Sequence, residues 1–141
     1  MADTMQFDLV SPERRLASLQ AREVRIPGTD GDLTAMPGHA PLITTLRPGV
    51  LRIIKADGSS DDYAVTGGFA EISSAGTTLL AEEALHVSEV TPEIVKRFVE
   101  RASEALRAAK EAGHHDLIDD AAKLMADMVA MGDHIGISPA P

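Results

Sequence analysis

Apolar residues in the first two-thirds of the chain come in short runs, cut by glycine, proline and aspartate. They fall at 5–10, 16–19, 24–26, 42–46, 50–54, 63–66, 69–73, 77–81 and 85–87. Runs this short, β-branched in places and spaced by turn signals, predict an antiparallel sandwich or barrel of roughly eight to ten strands. Ala56-Asp57-Gly58-Ser59 reads as a hairpin turn, because Asp-Gly supplies the positive φ that a tight turn requires. Gly67-Gly68 marks a break or bulge where backbone passes close to backbone.

The period changes near Val90, which divides the chain into a sheet region, 1–90, and a helical region, 91–141. Thr91-Pro92 places a capping residue before a proline at the first helical position. Ile94, Val95, Phe98, Val99, Ala102, Ala105, Leu106 and Ala109 then recur at helical spacing. Gly113 ends this helix, His114-His115 form the turn, and Asp116 is the expected cap of a second helix whose inner stripe is Leu117, Ala121, Leu124, Met128 and Met131. Gly132, Gly136 and the last residues end it in a frayed tail. The pattern predicts an antiparallel helical hairpin, and so many alanines bury little apolar area at its seam.

Between Pro27 and Gly49, prolines and glycines crowd around a short apolar run, Leu42-Ile43-Thr44-Thr45-Leu46. Proline fixes φ and glycine frees it, so the segment reads as a rigid, surface-presented loop system that touches a partner. It carries His39 inside a Pro-Gly-His-Ala-Pro turn, and Asp32 in Asp30-Gly31-Asp32.

Composition narrows the function. A hydrophobic content of 44% fits a globular chain, and aromatics at 3% make the core aliphatic. The net charge of −9 argues against nucleic acid or anionic lipid as the main partner. The absence of cysteine excludes a disulfide framework and any thiolate metal site. No apolar run is long enough to span a bilayer, and the acidic start MADTMQFDLV lacks the form of a signal peptide, so a soluble protein without membrane insertion is expected.

Catalytic chemistry finds little to stand on. His114-His115-Asp116 lacks HExxH-type spacing, and His39, His86 and His134 are scattered. Asp30-Gly31-Asp32 and Asp57–Asp62 lack the twelve-residue calcium loop with its terminal Glu and read as turns. Ser11, Ser18 and Ser88 have no Gly-x-Ser-x-Gly setting, and Gly67-Gly68 has no following lysine for a phosphate loop. No active site, metal or cofactor is expected.

One ordered set of motifs ties these pieces together. Phe7-Asp8-Leu9-Val10-Ser11-Pro12-Glu13 is followed by Gly31-Asp32-Leu33 and by Met36-Pro37-Gly38-His39-Ala40-Pro41-Leu42-Ile43-Thr44. Pro48-Gly49, Thr66-Gly67-Gly68-Phe69-Ala70-Glu71-Ile72 and Thr78-Leu79-Leu80-Ala81-Glu82 complete it. In this the chain resembles the epsilon subunit family of the bacterial F-type ATP synthase. The resemblance implies a ten-stranded antiparallel β-sandwich followed by a two-helix hairpin. It implies a non-catalytic rotor subunit of the central stalk, which couples proton-driven rotation to ATP synthesis from ADP and phosphate. It implies a peripheral place in the complex, on the cytoplasmic face of the inner membrane. The partners it implies are the gamma subunit, the polar loops of the c-ring and, through the hairpin, the catalytic alpha and beta subunits. Asp32 and His39 would face the c-ring. Ser11, Leu42, Ile43, Thr44 and Thr45 would face gamma.

The chain departs from that family in two places. ATP-sensing members carry Ile/Leu-Asp-x-x-Arg-Ala at the entry to the first helix, where this chain reads Ser88-Glu89-Val90-Thr91-Pro92-Glu93-Ile94. Inhibition by an extended hairpin relies on basic residues in the second helix, where this chain has four aspartates and a single lysine, Lys123, between Asp116 and Met131. Weak ATP sensing follows from the missing motif, and weak inhibition of hydrolysis from like-charge contact. The alternative, a stand-alone nucleotide-sensing module, calls for arginines on the hairpin's inner face, whereas Arg97, Arg101 and Arg107 fall mostly on the charged side.

Overall fold

Burial alternates from the first strand. In β1 (Met5–Val10), Met5, Phe7 and Leu9 are buried while the residues between them are not. The structure, a computed structural model, describes residues 3–140. After β1 come β2 (Arg15–Gly28), β3 (Gly31–Ala35), β4 (Leu42–Leu46), β5 (Gly49–Lys55), β6 (Ser60–Val65), β7 (Gly68–Ser73), β8 (Gly76–Ala81) and β9 (Ala84–His86). A 3-10 turn and two helices follow, and the chain divides into two units after Val87, three residues before the expected boundary at Val90.

The first unit is a sandwich, and β2 is the reason it closes. The first half of β2 pairs with β1, from Ala21 opposite Met5 to Arg15 opposite Val10. Its second half pairs with β3 on one side and β5 on the other, and the register shifts between Ala21 and Glu23. At that shift the strand passes from one layer to the next. One layer is β4, β7, β8, β1 and the start of β2; the other is β3, the end of β2, β5, β6 and β9. All nine strands send side chains into one core, with Phe7, Leu9, Val24, Ile26, Leu51, Ile53, Ile72 and Leu79 at its centre.

Three expectations change in detail. The runs at 16–19 and 24–26 are one continuous strand, with β2 serving both layers, and with β3 added the strands among the described residues number nine where ten were expected. Residues 31–35, expected as loop, form β3, because Leu33 and Ala35 turn inward when Asp32 pairs with Pro27 and Ala35 with Val24. The sheet is also not wholly antiparallel: β1 runs parallel to β8, with Gln6 opposite Gly76 and Val10 opposite Leu80. That pairing covers the edge β1 would otherwise leave open. At Gly68 a Cβ would lie 2.0 Å from the Leu80 carbonyl oxygen, which explains the second of the paired glycines.

The second unit is a helical hairpin. Helix α1 (Pro92–Ala112) starts where the Thr91 hydroxyl accepts the Ile94 N–H at 3.3 Å and ends at Gly113 in the left-handed conformation. Helix α2 (His115–Ile135) starts two residues earlier than expected: His114 is the cap residue, without a side-chain cap bond, and Asp116 lies inside the first turn. There its carboxylate still meets the positive end of the helix dipole. Val95, Phe98, Ala102, Ala109, Ala121, Met128 and Met131 are buried, whereas Ala105 and Leu117 are exposed. Gly132 lies within α2, and its place for a Cβ is 3.0 Å from Val95 Cγ1. The tail does not fray: the Ala140 N–H donates to the Pro92 carbonyl at 3.0 Å.

Candidate functional site

The outer face of the first layer carries an unusual inversion. In β7 the alanine and isoleucine point inward, Ala70 and Ile72, while Phe69 and Glu71 point out. Register extends that outward face across four strands. Thr45, Phe69, Leu80 and Val10 form one row, and Ile43, Glu71, Thr78 and Asp8 the next. Ile43 is 72% exposed, Phe69 49% and Leu80 40%. Residues on neighbouring strands and adjacent rows lie within reach of one another, so these three make a contiguous apolar surface. A grouped apolar surface of this kind marks a place where another macromolecule sits.

The expected gamma-facing residues do not share this face. Ile43 and Thr45 lie on it, but Leu42 and Thr44 pair with Ile72 and Ala70 and take the inner side of the sheet. A strand alternates its side chains, so four consecutive residues cannot face one partner. Leu42 stays 41% exposed at the start of its strand. Ser11 follows Val10 at the end of the first row, and its N–H donates to the Arg14 carbonyl at 2.9 Å. Sequence reasoning missed Phe69 and Leu80. The signal was present in Gly-Gly-Phe-Ala-Glu, where the aromatic occupies the position that alternation assigns to solvent.

Asp32 and His39 are not brought together. Asp32 sits at the end of the sandwich where β2 turns into β3 and β4 into β5. Its side chain is 77% exposed and paired with the Arg47 guanidinium. That guanidinium also donates to the Gly28 carbonyl at 2.6 Å, and the Arg47 N–H to the Pro27 carbonyl at 3.0 Å. The Thr29 N–H donates to the Thr45 carbonyl at 2.8 Å, so two corners are stitched into one. His39 lies past the other end of β3, in the loop 36–41. Its N–H donates to the Met36 carbonyl at 3.1 Å, and its Nδ1 lies 2.6 Å from the Ala40 carbonyl. That loop borders a cleft with Thr4, Gln20 and Ser74, where β1 begins and β7 turns into β8.

A third cluster belongs to the inward side of β6. Lys55 donates to Asp61 at 2.8 Å, and His86 Nε2 lies 3.2 Å from the other Asp61 oxygen. The Lys55 ammonium, helped by His86 and opposed by partial burial, holds the Asp61 carboxyl below its ordinary range. In the hairpin, Arg97 and Arg101 stand over the Phe98 ring at 5.3 and 5.9 Å, and Arg107 pairs with Glu104 and Glu111. Lys123 is bound to Asp127 at 3.0 Å. Among the described residues no group of three His, Asp or Glu side chains gathers to hold a metal. Among the described residues no helix is long and apolar enough to cross a membrane.

The family model for the ATP synthase, Delta/Epsilon chain, beta-sandwich domain matches residues 4–87. The chain is 55% identical over 141 residues to the ATP synthase epsilon chain of Paracoccus denitrificans, covering 99% of this chain and 95% of that one. The chain belongs to the ATP synthase epsilon chain family. The epsilon chain of Rhodobacter capsulatus is 56% identical over 137 residues, 97% of this chain and 100% of its own. Among solved structures, the Euglena gracilis mitochondrial ATP synthase contains a chain of the same fold, with a TM-score of 0.68 at 17% identity, covering 90% of this chain and 78% of that one. As a member of the epsilon family the chain is a non-catalytic subunit of the ATP synthase complex.

Proposed function

We propose that the chain is the central-stalk subunit through which the ATP synthase couples proton-driven rotation to ATP synthesis, and that its sandwich seats on the gamma subunit by the outer face of the first layer. The apolar surface of Ile43, Phe69 and Leu80 carries this reading, because such a surface on an otherwise strongly acidic chain needs a cover. Asp32, at one end of the sandwich, meets the polar loops of the c-ring. His39 lies past the other end of β3, beside the start of β4. The complex then holds the chain at the cytoplasmic face of the inner membrane without inserting it.

Calorimetric titration of purified gamma subunit with the full chain tests the seat. Phe69→Glu is expected to weaken binding by about a hundredfold, as loss of a central aromatic anchor does. Equal binding by Phe69→Glu would place the interface elsewhere, and no binding by the unaltered chain would remove gamma as its partner.

The hairpin is proposed to sense ATP weakly and to inhibit hydrolysis weakly. Helix α2 carries five aspartates against one lysine, and that lysine is already paired with Asp127. An acidic helix pushed toward acidic catalytic subunits is repelled. Removing residues 91–141 from the assembled enzyme is expected to leave its ATP hydrolysis rate unchanged; a sharp rise would refute the proposal.

A further inference from the structure

The Asp32 side chain is 77% exposed, yet it is held in place. Arg47 does the holding, and the way it is anchored sets it apart from the other surface ion pairs. Its backbone N–H is bound to the Pro27 carbonyl at 3.0 Å, and Pro48 restricts the backbone of Arg47 itself. One guanidinium nitrogen, Nη1, donates to the Gly28 carbonyl at 2.6 Å; the other, Nη2, donates to Asp32 Oδ1. The Arg47 side chain is only 26% exposed, against 77% for Asp32. Arginine's planar fork can bind a backbone carbonyl and a carboxylate at once with fixed angles. An ion pair this open to water contributes little to folding stability. What it does do is restrict the rotamer of Asp32, and a side chain already ordered loses less entropy when a partner binds.

We infer that Arg47 is a positioning residue that fixes Asp32 in one orientation for a cationic side chain on a partner's polar loop. Arg47 engages Oδ1, which leaves the lone pairs of Oδ2 for the incoming cation. The same guanidinium ties the turn after β2 to the corner between β4 and β5, so a force applied at Asp32 passes into two strands of different layers. The inference rests on the reading of Asp32 as the residue that meets the c-ring loops, and it adds the residue that orients it.

The test is a double-mutant cycle on the full chain. Labelled Asp32→Asn, Arg47→Met, the double variant and Arg47→Lys are titrated onto membranes bearing ATP synthase stripped of this subunit. Asp32→Asn is expected to weaken binding about tenfold, the loss of a hydrogen bond to a charged group. Arg47→Met is expected to weaken it about threefold, the scale of one freed side chain. Arg47→Lys recovers part of that loss, and the double variant binds no worse than Asp32→Asn alone. A threefold loss that persists on the Asp32→Asn background would mean Arg47 acts through folding, and would overturn the inference. So would wild-type binding by Arg47→Met beside a weakened Asp32→Asn, which leaves the contact reading of Asp32 intact. Wild-type binding by Asp32→Asn would instead remove Asp32 as a contact, and the inference with it.

Discussion

In the sandwich, nine strands share one aliphatic core whose central side chains, from Phe7 to Leu79, are at most 1% exposed. In the hairpin, two helices of 21 residues each bury few large side chains, and their buried positions include Ala102, Ala109, Ala121 and Gly132. The sandwich has interlocking volume; the hairpin has close approach of backbones with little area removed from water. A subunit that must pass on torque needs the first kind of packing. One whose helices repack at low cost needs the second. The chain holds both, joined at the short turn Val87–Glu89.

The contrast is tested most severely at Phe7, which is fully buried. Phe7→Ala is expected to cost about 3–5 kcal/mol, read from urea unfolding followed by the sheet's circular dichroism. A loss smaller than the hairpin's own would invert the comparison. Next comes Gly132, where any Cβ meets Val95 Cγ1 at 3.0 Å and the Ile137 carbonyl at 3.1 Å. Gly132→Leu is expected to force the helices apart for about 1–3 kcal/mol, so that helical signal melts ahead of the sheet. If it melts with the sheet unchanged, the seam is looser than its close approach suggests.

The smallest effect is the acid response of the sandwich. Lys55, and after it His86, keep the folded-state pKa of Asp61 below its ordinary value of 3.8, while burial works the other way. A carboxylate with a lowered folded pKa stabilises the fold above its unfolded pKa, and that contribution is lost as pH falls through the folded pKa. Asp61→Asn is therefore expected to lower the melting temperature at neutral pH. The gap from the unaltered chain should close as pH drops below the carboxylate range. A constant gap through the acid range would mean the pair contributes by shape and not by charge.

How much of this was legible depended on how local the cause was. Thr91-Pro92 and Gly113 fixed the ends of α1, because a cap and a left-handed glycine act within a few residues. The strand β3 was hidden among prolines and glycines, since only its pairing with the far half of β2 makes it a strand. Pro27 looked like a loop residue, yet it sits in β2 with its carbonyl used by Arg47. Asp32 and His39 were grouped because the resemblance implies one shared facing for both, but the rest of β3 lies between them and carries them to its opposite ends. The split of Leu42 and Thr44 from Ile43 and Thr45 was legible from alternation alone. The row that joins Thr45, Phe69, Leu80 and Val10 was not, because it depends on pairings between strands far apart in the chain.

The parallel pairing of β1 with β8 bears on how the chain is made. β1 leaves the ribosome some seventy positions ahead of its second neighbour, residues 76–81. Contacts between such distant segments form slowly, since a long loop must close before they are rewarded. Until then β1 can bind only its hairpin partner β2, and its other edge, with Phe7 and Leu9 beside it, stays open to foreign strands. The sandwich is therefore completed only after β8 emerges, and a nascent chain stalled before β8 is the form that a chaperone has most reason to shield.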